Sequence, residues 1–338
     1  MPRQSRLDAP GALHHVICRG IEGQPVFRDD TDREGFVARL EAVLTATRTA
    51  CYAWALLPNH VHLLLQSGAV PLPTVMRRLL TGYAVTFNRR HRRHGYVFQN
   101  RYKSILCQEE PYFLELVRYI HLNPLRAKMV AGLPALDRYA YVGHSRLVGK
   151  VESPWQNTAV VLARFGSRIT TARQRYRAFV AEGIALGRRP ELTGGGLVRS
   201  AGGWRALSVR RRQGQRVKGD ERILGERAFV EGVLDAAQER RDRRDHLRAR
   251  GVDFERLLHL VASCFDLTPE EVRAPSKQPR RVQARSLLCY WAVQELGLSG
   301  TTVAATLGAT QSAVSRAVRR GERYTVEHRV SFPEDRIA

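Results

Sequence analysis

The chain has 338 residues, of which 43% are hydrophobic, and this is enough for two or three domains with real cores. It carries 55 Lys and Arg against 32 Asp and Glu, a net charge of +23, which favours a polyanionic partner such as nucleic acid, although a generally basic surface gives the same excess. No apolar run reaches the length of a membrane span, and the five cysteines form no CxxC pair. These features argue against a membrane protein, a zinc ribbon and a disulfide framework, and we expect a cytoplasmic location.

The first 150 residues predict an α+β domain. Apolar segments of strand length alternate there with segments in which apolar residues recur every three or four positions. The expected arrangement is an antiparallel sheet flanked by helices, although the order of elements alone does not fix the topology. The predicted order is strand, helix, strand, strand, helix, strand and helix, at residues 13–18, from 29–31, 51–57, 60–65, 73–90, 96–107 and from 111.

The rest of the chain predicts mostly helices. Residues 151–250 are interpreted as a helical connector, in which the Gly- and Arg-rich stretch 193–218 is a linker or a flexible basic loop. Residues 251–330 predict a separate helical domain. Within it, residues 303–307, a turn at Gly308 and residues 311–320 have the outline of a helix-turn-helix.

Two histidines lie in what is predicted to be a buried strand, in the segment LLPNHVHLLL at residues 56–65. Side chains of a strand alternate between faces, so His60 and His62 share one face. Two imidazoles side by side on a sheet can bind one divalent metal ion. The commoner alternative is a pair of core histidines satisfied by hydrogen bonds.

A candidate nucleophile lies in the last predicted helix of the first domain. Tyr119 and Asn123 are four residues apart and share a helix face if the helix continues that far. Pro124 does not fit a helix interior, so Asn123 has a second interpretation, as the cap of a new helix that starts at Pro124. For Tyr119 the alternative is a packed amphipathic tyrosine.

Four motifs in this order resemble the single-tyrosine HUH transposases, and most closely the REP-associated tyrosine transposases. They are Arg19-Gly20, His60-x-His62, FQNRYKS at 98–104 and YIHLNP at 119–124, and the resemblance covers about residues 10–145. It implies an HUH nuclease fold of the ferredoxin or RRM type. It also implies that Tyr119 is the catalytic tyrosine, that His60 and His62 are metal ligands and that Asn123 is a third ligand, where related transposases more often have Gln.

The residue types suit this chemistry. A tyrosine phenol, with a pKa of about 10, is a weak nucleophile at neutral pH, and a metal ion that polarises the scissile phosphate assists its attack. Two imidazoles and an amide suit Mn²⁺, whereas Mg²⁺ would need phosphate and water oxygens to complete its shell. Four cationic side chains are candidate phosphate-binding groups, although each also fits a plain surface charge: Arg19, Arg101, Lys103 and Arg118.

The C-terminal part resembles, more loosely, the DNA-binding domain of the bacterial initiator DnaA, over residues 254–322. The resemblance implies a basic loop and a recognition helix that contact DNA. The alternative is a helical bundle that makes oligomer contacts. The implied DNA-binding residues are Lys277, Arg280 and Arg281 in the loop, and Gln311, Ser312, Ser315, Arg316 and Arg319 on or beside the helix.

Together these patterns predict a metal-dependent transposase that cleaves and rejoins single-stranded DNA. The expected substrate is a REP-type hairpin, with duplex DNA as a second partner, and the expected state is a monomer or a homodimer. Two other interpretations stay open. One is a replication or conjugation nuclease of the HUH type, and the other is a domesticated regulator that binds DNA without cleaving it.

Overall fold

The structure, a computed structural model, describes residues 11–68, 70–99, 101–187, 189, 192 and 222–333. The chain divides into two compact units, with the boundary between Val233 and Leu234. The Gly- and Arg-rich stretch 193–218, interpreted above as a linker or basic loop, lies outside the described residues. Across the described ranges, no helix combines the length and the apolar character that a membrane crossing needs.

The first unit contains a five-stranded sheet in the order β2-β3-β1-β4-β5. The strand β1 is central and runs antiparallel to both β3 and β4, and β2 is antiparallel to β3, while the short β5 is parallel to β4. The predicted antiparallel sheet with flanking helices is confirmed, and β5 makes the sheet mixed. The strands are Leu13–Arg19 (β1), Ala50–Leu57 (β2), His60–Gln66 (β3), Lys103–Cys107 (β4) and Ile223–Leu224 (β5).

Helices cover both faces of this sheet, because the strands are apolar on both sides and a half-exposed sheet would leave one set of side chains in water. On one face Val16, Leu63 and Leu65 pack with the first two helices; on the other face Leu64 and Ile105 pack with the third. The helices of the first unit are Asp30–Thr47 (α1), Leu72–Arg90 (α2), Glu109–His121 (α3), Asn123–Arg126 (α4), Leu133–Arg138 (α5), His144–Leu147 (α6), Thr158–Ala163 (α7) and Ile169–Glu182 (α8).

The core on the α3 side of the sheet also contains residues beyond 150. Val161 of α7 and Tyr176 and Val180 of α8 are fully buried in the same core as Leu116 and Ile120 of α3. This core therefore clamps α3 between the sheet and α8. Its position matters because α3 carries Tyr119.

After the helix Arg227–Ala249 (α9), the regular elements of the described residues are helices, as predicted for the C-terminal part. Thr268 and Glu271 form the capping box expected at the start of α11, in which each side chain binds the backbone N–H of the other residue. Gly321 lets the last helix approach its neighbour closely, since a Cβ there would lie 2.2 Å from the carbonyl oxygen of Ser286. The helices after α9 are Phe254–Cys264 (α10), Pro269–Arg273 (α11), Pro279–Gln294 (α12), Gly300–Thr306 (α13) and Gln311–His328 (α14).

Candidate active site

The strand register brings the predicted site residues onto one face of the sheet. Arg19 of β1 lies opposite His60 of β3, and Ile17 of β1 lies opposite both His62 of β3 and Lys103 of β4. Residues directly opposite each other in antiparallel strands point to the same side. His60, His62, Arg19 and Lys103 therefore share the face that α3 covers.

A third histidine completes the buried part of this face. His15 of β1 is fully buried, and its Nε2 lies 2.9 Å from Nδ1 of His62, which is 4% exposed. The two rings stack, with 5.2 Å between their centroids. His60 is half-buried, and its Nδ1 lies 2.7 Å from Oδ1 of Asn59. Sequence analysis did not select His15. The only signal was its place in strand 13–18, at a position that alternates with the apolar Val16.

Both candidate metal ligands are neutral near pH 7. Burial, with a further contribution from Arg19, lowers the pKa of His60 to about 4. Burial also holds the pKa of His62 well below its usual value, and His15, His60 and Arg19 add to this effect. Only a neutral imidazole has a lone pair to give to a metal ion, so these two residues fit the donor type that the resemblance implies.

Tyr119 lies against this histidine cluster. It is half-buried on α3, and its ring is edge-on to His62 at 5.9 Å and to His15 at 6.0 Å between centroids. On another side, the guanidinium carbon of Arg126 lies 5.2 Å from the centroid of the Tyr119 ring, and Arg126 donates to the Tyr119 carbonyl oxygen at 3.3 Å. The structure thus brings the predicted nucleophile and both predicted histidine ligands together.

Asn123 is buried just after α3 and is the first residue of the short helix α4. The interpretation of Asn123 as a helix cap is wrong: Leu122 holds the cap position of α4, and no side-chain capping bond is present there. The Asn123 side chain instead donates from Nδ2 to the carbonyl oxygen of Ile120 at 3.3 Å. That bond does not use Oδ1, the atom an amide ligand would offer.

Across the part of the chain that the structure describes, no three His, Cys, Asp or Glu side chains are arranged to hold a metal ion. A two-histidine site must therefore complete its shell with other donors. Amide oxygen, phosphate oxygen and water are the available types. In the YIHLNP motif, the amide oxygen would be Oδ1 of Asn123.

The four candidate phosphate-binding residues differ in their surroundings. Arg19 and Lys103 are exposed on the histidine face, and Arg101 is exposed two residues before β4. Arg118 is buried instead. Its Nη2 donates to Glu115 at 2.6 Å, and its guanidinium carbon lies 4.1 Å from the centroid of Phe179. Arg118 therefore joins α3 to α8.

A second buried polar network anchors the end of α3. The Tyr176 hydroxyl lies 2.7 Å from Nδ1 of His121 and 2.9 Å from Nδ1 of His144. His144 contacts Asp137 through Nε2 at 2.9 Å, and Arg177 donates to the same carboxylate at 2.8 Å. Sequence analysis missed this network because its members are distant in the chain. It fixes His121, which lies two residues after Tyr119.

In the second unit, the predicted DNA-contacting residues of α14 form one surface. Gln311, Ser312, Ser315 and Arg316 are exposed and Arg319 is half-exposed, whereas Val314, Ala317 and Gly321 on the other face are buried. In the loop before α12, Lys277 is exposed. The prediction that Arg280 and Arg281 lie in this loop is wrong, because both lie in the first turn of α12, where Arg280 pairs with Asp266 at 2.6 Å and Arg281 pairs with Glu271. Gly308, with a φ of 58°, makes the turn between α13 and α14.

Comparison with known proteins identifies the first part of the chain. A family model described as IS200-like transposase matches residues 11–123, from β1 to the first residue of α4. One solved structure, a REP-associated tyrosine transposase bound to a REP hairpin, aligns with 46% of this chain and 98% of its own length, at 14% identity and a TM-score of 0.37. A search of the curated proteins returns no significant match. Residues 11–123, which contain His60, His62, Tyr119 and Asn123, thus match the IS200-like transposase family, as the sequence motifs indicate.

Proposed function

We propose that this protein is a transposase that cleaves and rejoins single-stranded DNA through Tyr119. The observation that carries the proposal is the contact of the Tyr119 ring with His62 and His15, with ring centroids about 6 Å apart, inside the stretch that matches the transposase family. A tyrosine that served only for packing would not need a cluster of buried histidines beside its ring. The hydrogen bonds of His121 and the contact of Arg118 with Phe179 hold α3, the helix that carries Tyr119, in place.

In the proposed reaction, the Tyr119 hydroxyl oxygen attacks a backbone phosphorus. The bond from phosphorus to the 3′-oxygen breaks, the phenol loses its proton, and the departing 3′-oxygen gains one. The products are a 5′-phosphotyrosine and a free 3′-hydroxyl. A phosphodiester is exchanged for another phosphodiester, so a second strand's 3′-hydroxyl can reverse the step without ATP.

We further propose that His60, His62 and Asn123 hold a divalent cation, Mn²⁺ or Mg²⁺, at this face. When bound, the cation would polarise the scissile phosphate and stabilise the charge that develops during attack. The two histidines would bind it through Nε2, because each Nδ1 already lies within hydrogen-bond distance of another side chain, Asn59 for His60 and His15 for His62. Arg19 and Lys103, on the same exposed face, would bind the flanking phosphates.

The proposed substrate is a REP-like hairpin with a single-stranded foot, which the resemblance to REP-associated transposases implies. The net charge of +23 supports a nucleic-acid partner in general. For residues 251–330 we propose a separate role in the cytoplasm, the binding of duplex DNA through the exposed face of α14. Domain boundaries near residues 150 and 250 are part of the same proposal, in which α7 and α8 of the connector pack against the core of the first unit.

The test is formation of a covalent adduct. The full-length protein is incubated with Mn²⁺ and labelled hairpins that carry single-stranded flanks, and the adduct is resolved by denaturing gel. Wild type and Tyr112→Phe, a control on the same helix, should form the adduct, and Tyr119→Phe should not while it still binds the hairpin. An adduct in Tyr119→Phe would move the nucleophile elsewhere. Hairpin binding by wild type without any adduct would favour the non-cleaving regulator.

A further inference from the structure

His15 of β1 contacts both the candidate nucleophile and a candidate metal ligand. Its Nε2 is 2.9 Å from Nδ1 of His62, and its ring meets the edge of the Tyr119 ring. The residue is fully buried in the middle of the sheet. We propose that His15 is a positioning residue that accepts a hydrogen bond from Nδ1–H of His62 and so leaves Nε2 of His62 free to bind the metal ion. The inference rests on the proposed metal site and adds a residue to it.

The geometry of the pair leaves two arrangements. One facing nitrogen must carry the proton and the other must carry a lone pair, because two N–H groups pointing at each other repel and two lone pairs form no bond. If His15 donates, neutral His62 carries its own proton on Nε2 and is no ligand. If His62 donates, its Nε2 carries a lone pair. Metal binding therefore selects the arrangement in which His15 is the acceptor.

The neighbouring ligand shows the same pattern. Nδ1 of His60 lies 2.7 Å from the carbonyl oxygen of the Asn59 side chain, an atom that only accepts. His60 thus donates from Nδ1 and keeps a lone pair on Nε2. The two candidate ligands then expose the same nitrogen, and each is held by an acceptor from a different part of the chain, Asn59 for His60 and His15 for His62.

The strand position makes His15 a stable acceptor. In the register of the sheet, His15 lies directly between Leu64 of β3 and Ile105 of β4, and all three side chains are fully buried. Packing on both sides fixes the His15 ring and keeps bulk water from replacing it as the hydrogen-bond partner of His62. Removal of the acceptor should therefore release the His62 ring, and the Tyr119 ring should lose one of its edge contacts at the same time.

The experiment compares Mn²⁺ affinity by calorimetry in the full-length protein, together with the Mn²⁺ dependence of cleavage. His15→Leu should bind Mn²⁺ about 10–100-fold more weakly than wild type, the usual effect of removing an outer-shell partner. His15→Gln, whose amide oxygen restores an acceptor, should recover most of that affinity. His14→Leu is the matched control, because His14 is an equally buried histidine on the opposite face of the same strand, and it should bind as wild type does.

The outcomes separate this inference from the proposed site. Equal Mn²⁺ affinity in His15→Leu and wild type, with affinity lost in His62→Ala, would overturn the role of His15 alone. Unchanged affinity in His62→Ala would overturn the metal site and this inference together. If His15→Leu does not fold, long-range ¹H–¹⁵N spectra of the wild type with Mg²⁺ give the answer directly. A proton on Nδ1 of His62 supports the inference, and a proton on Nε2 contradicts it.

Discussion

The Tyr119 ring stands edge-on to the His62 ring, with 5.9 Å between their centroids and an interplanar angle of 83°. The contact joins α3 to β3, two elements separated by more than 40 residues in the chain. It holds only while α3 keeps its register on the sheet.

Replacement of Asn123 tests the third ligand. Asn123→Ala removes the amide oxygen and should raise the Mn²⁺ concentration needed for half-maximal cleavage by about tenfold or more. Asn123→Gln keeps an amide, the group that related transposases more often carry there, and should retain much of the activity. The readout is a titration of cleavage against Mn²⁺ concentration. Identical curves for Asn123→Ala and wild type would remove Asn123 from the site.

Replacement of Tyr176 tests the anchor of α3. Burial lowers the pKa of both His121 and His144, so both rings are neutral and the hydrogen bonds run in one direction. His144 donates from Nε2 to Asp137 and accepts at Nδ1 from the Tyr176 hydroxyl, which in turn accepts from Nδ1–H of His121. Tyr176→Phe leaves two buried groups without their hydrogen-bond partner, Nδ1–H of His121 and Nδ1 of His144. Each should lower the free energy of unfolding by about 1–3 kcal/mol.

Urea unfolding should therefore show a clear loss of stability in Tyr176→Phe. Tyr96→Phe is the control, since Tyr96 is 81% exposed and its hydroxyl has water available. Equal unfolding free energies in the two variants would mean that the network does not stabilise this part of the fold.

Acid should destabilise the protein through the same histidines. The folded-state pKa of His144 lies below its usual value of about 6.5 because burial outweighs the favourable contact with Asp137. Below pH 6.5, His144 binds a proton in the unfolded chain but stays neutral in the folded protein. Its contribution to the free energy of unfolding is therefore complete above pH 6.5 and is lost as the pH falls.

Each such histidine can add at most about 1.4 kcal/mol per pH unit to the slope of unfolding free energy against pH. Urea unfolding between pH 7.5 and 5.5, in the presence of a chelator, measures that slope. His144→Gln should show a smaller slope than wild type. A variant with the same slope would show that His144 titrates alike in the folded and unfolded states.

Substitutions on α14 test the proposed duplex-binding surface. Arg316 is exposed beside Gln311 and Ser312. If its side chain reaches a base edge, Arg316→Ala should weaken the binding free energy for duplex DNA by about 1–3 kcal/mol and relax the sequence preference at one base position. Lys277→Ala should instead weaken binding to all sequences alike. Arg256→Ala, an exposed arginine of α10, controls for the loss of one charge. Wild-type binding by both Arg316→Ala and Lys277→Ala, or self-association of the protein without duplex binding, would favour the oligomer-contact interpretation.

The sequence could predict the parts of this molecule that depend on local periodicity. The period of two placed His60 and His62 on one face, and the spacing of apolar residues located the helices on both sides of the sheet. Pairing between strands is not visible in the same way. His15 became a neighbour of His62 only through the register of β1 against β3.

Two other features depend on contacts between distant segments. Tyr176 joins His121 to His144 across α8, and no local pattern marks it as more than a core tyrosine. The strand β5 has two residues, too few to show alternation. The role of Tyr119 came from the resemblance of whole motifs, since the pattern of one helix does not distinguish a nucleophile from a packed ring.

The identity of the nucleotide-bearing residue tests the central proposal most directly. After cleavage of a hairpin by the wild-type protein, the adduct is digested with nuclease and trypsin and analysed by mass spectrometry. Trypsin cuts after Arg118 and Arg126, so Tyr119 lies in the peptide 119–126, apart from Tyr112 in the peptide 104–118. We expect the nucleotide on the peptide 119–126, attached at Tyr119. A nucleotide on the peptide 104–118, or on any other tyrosine, would contradict the account.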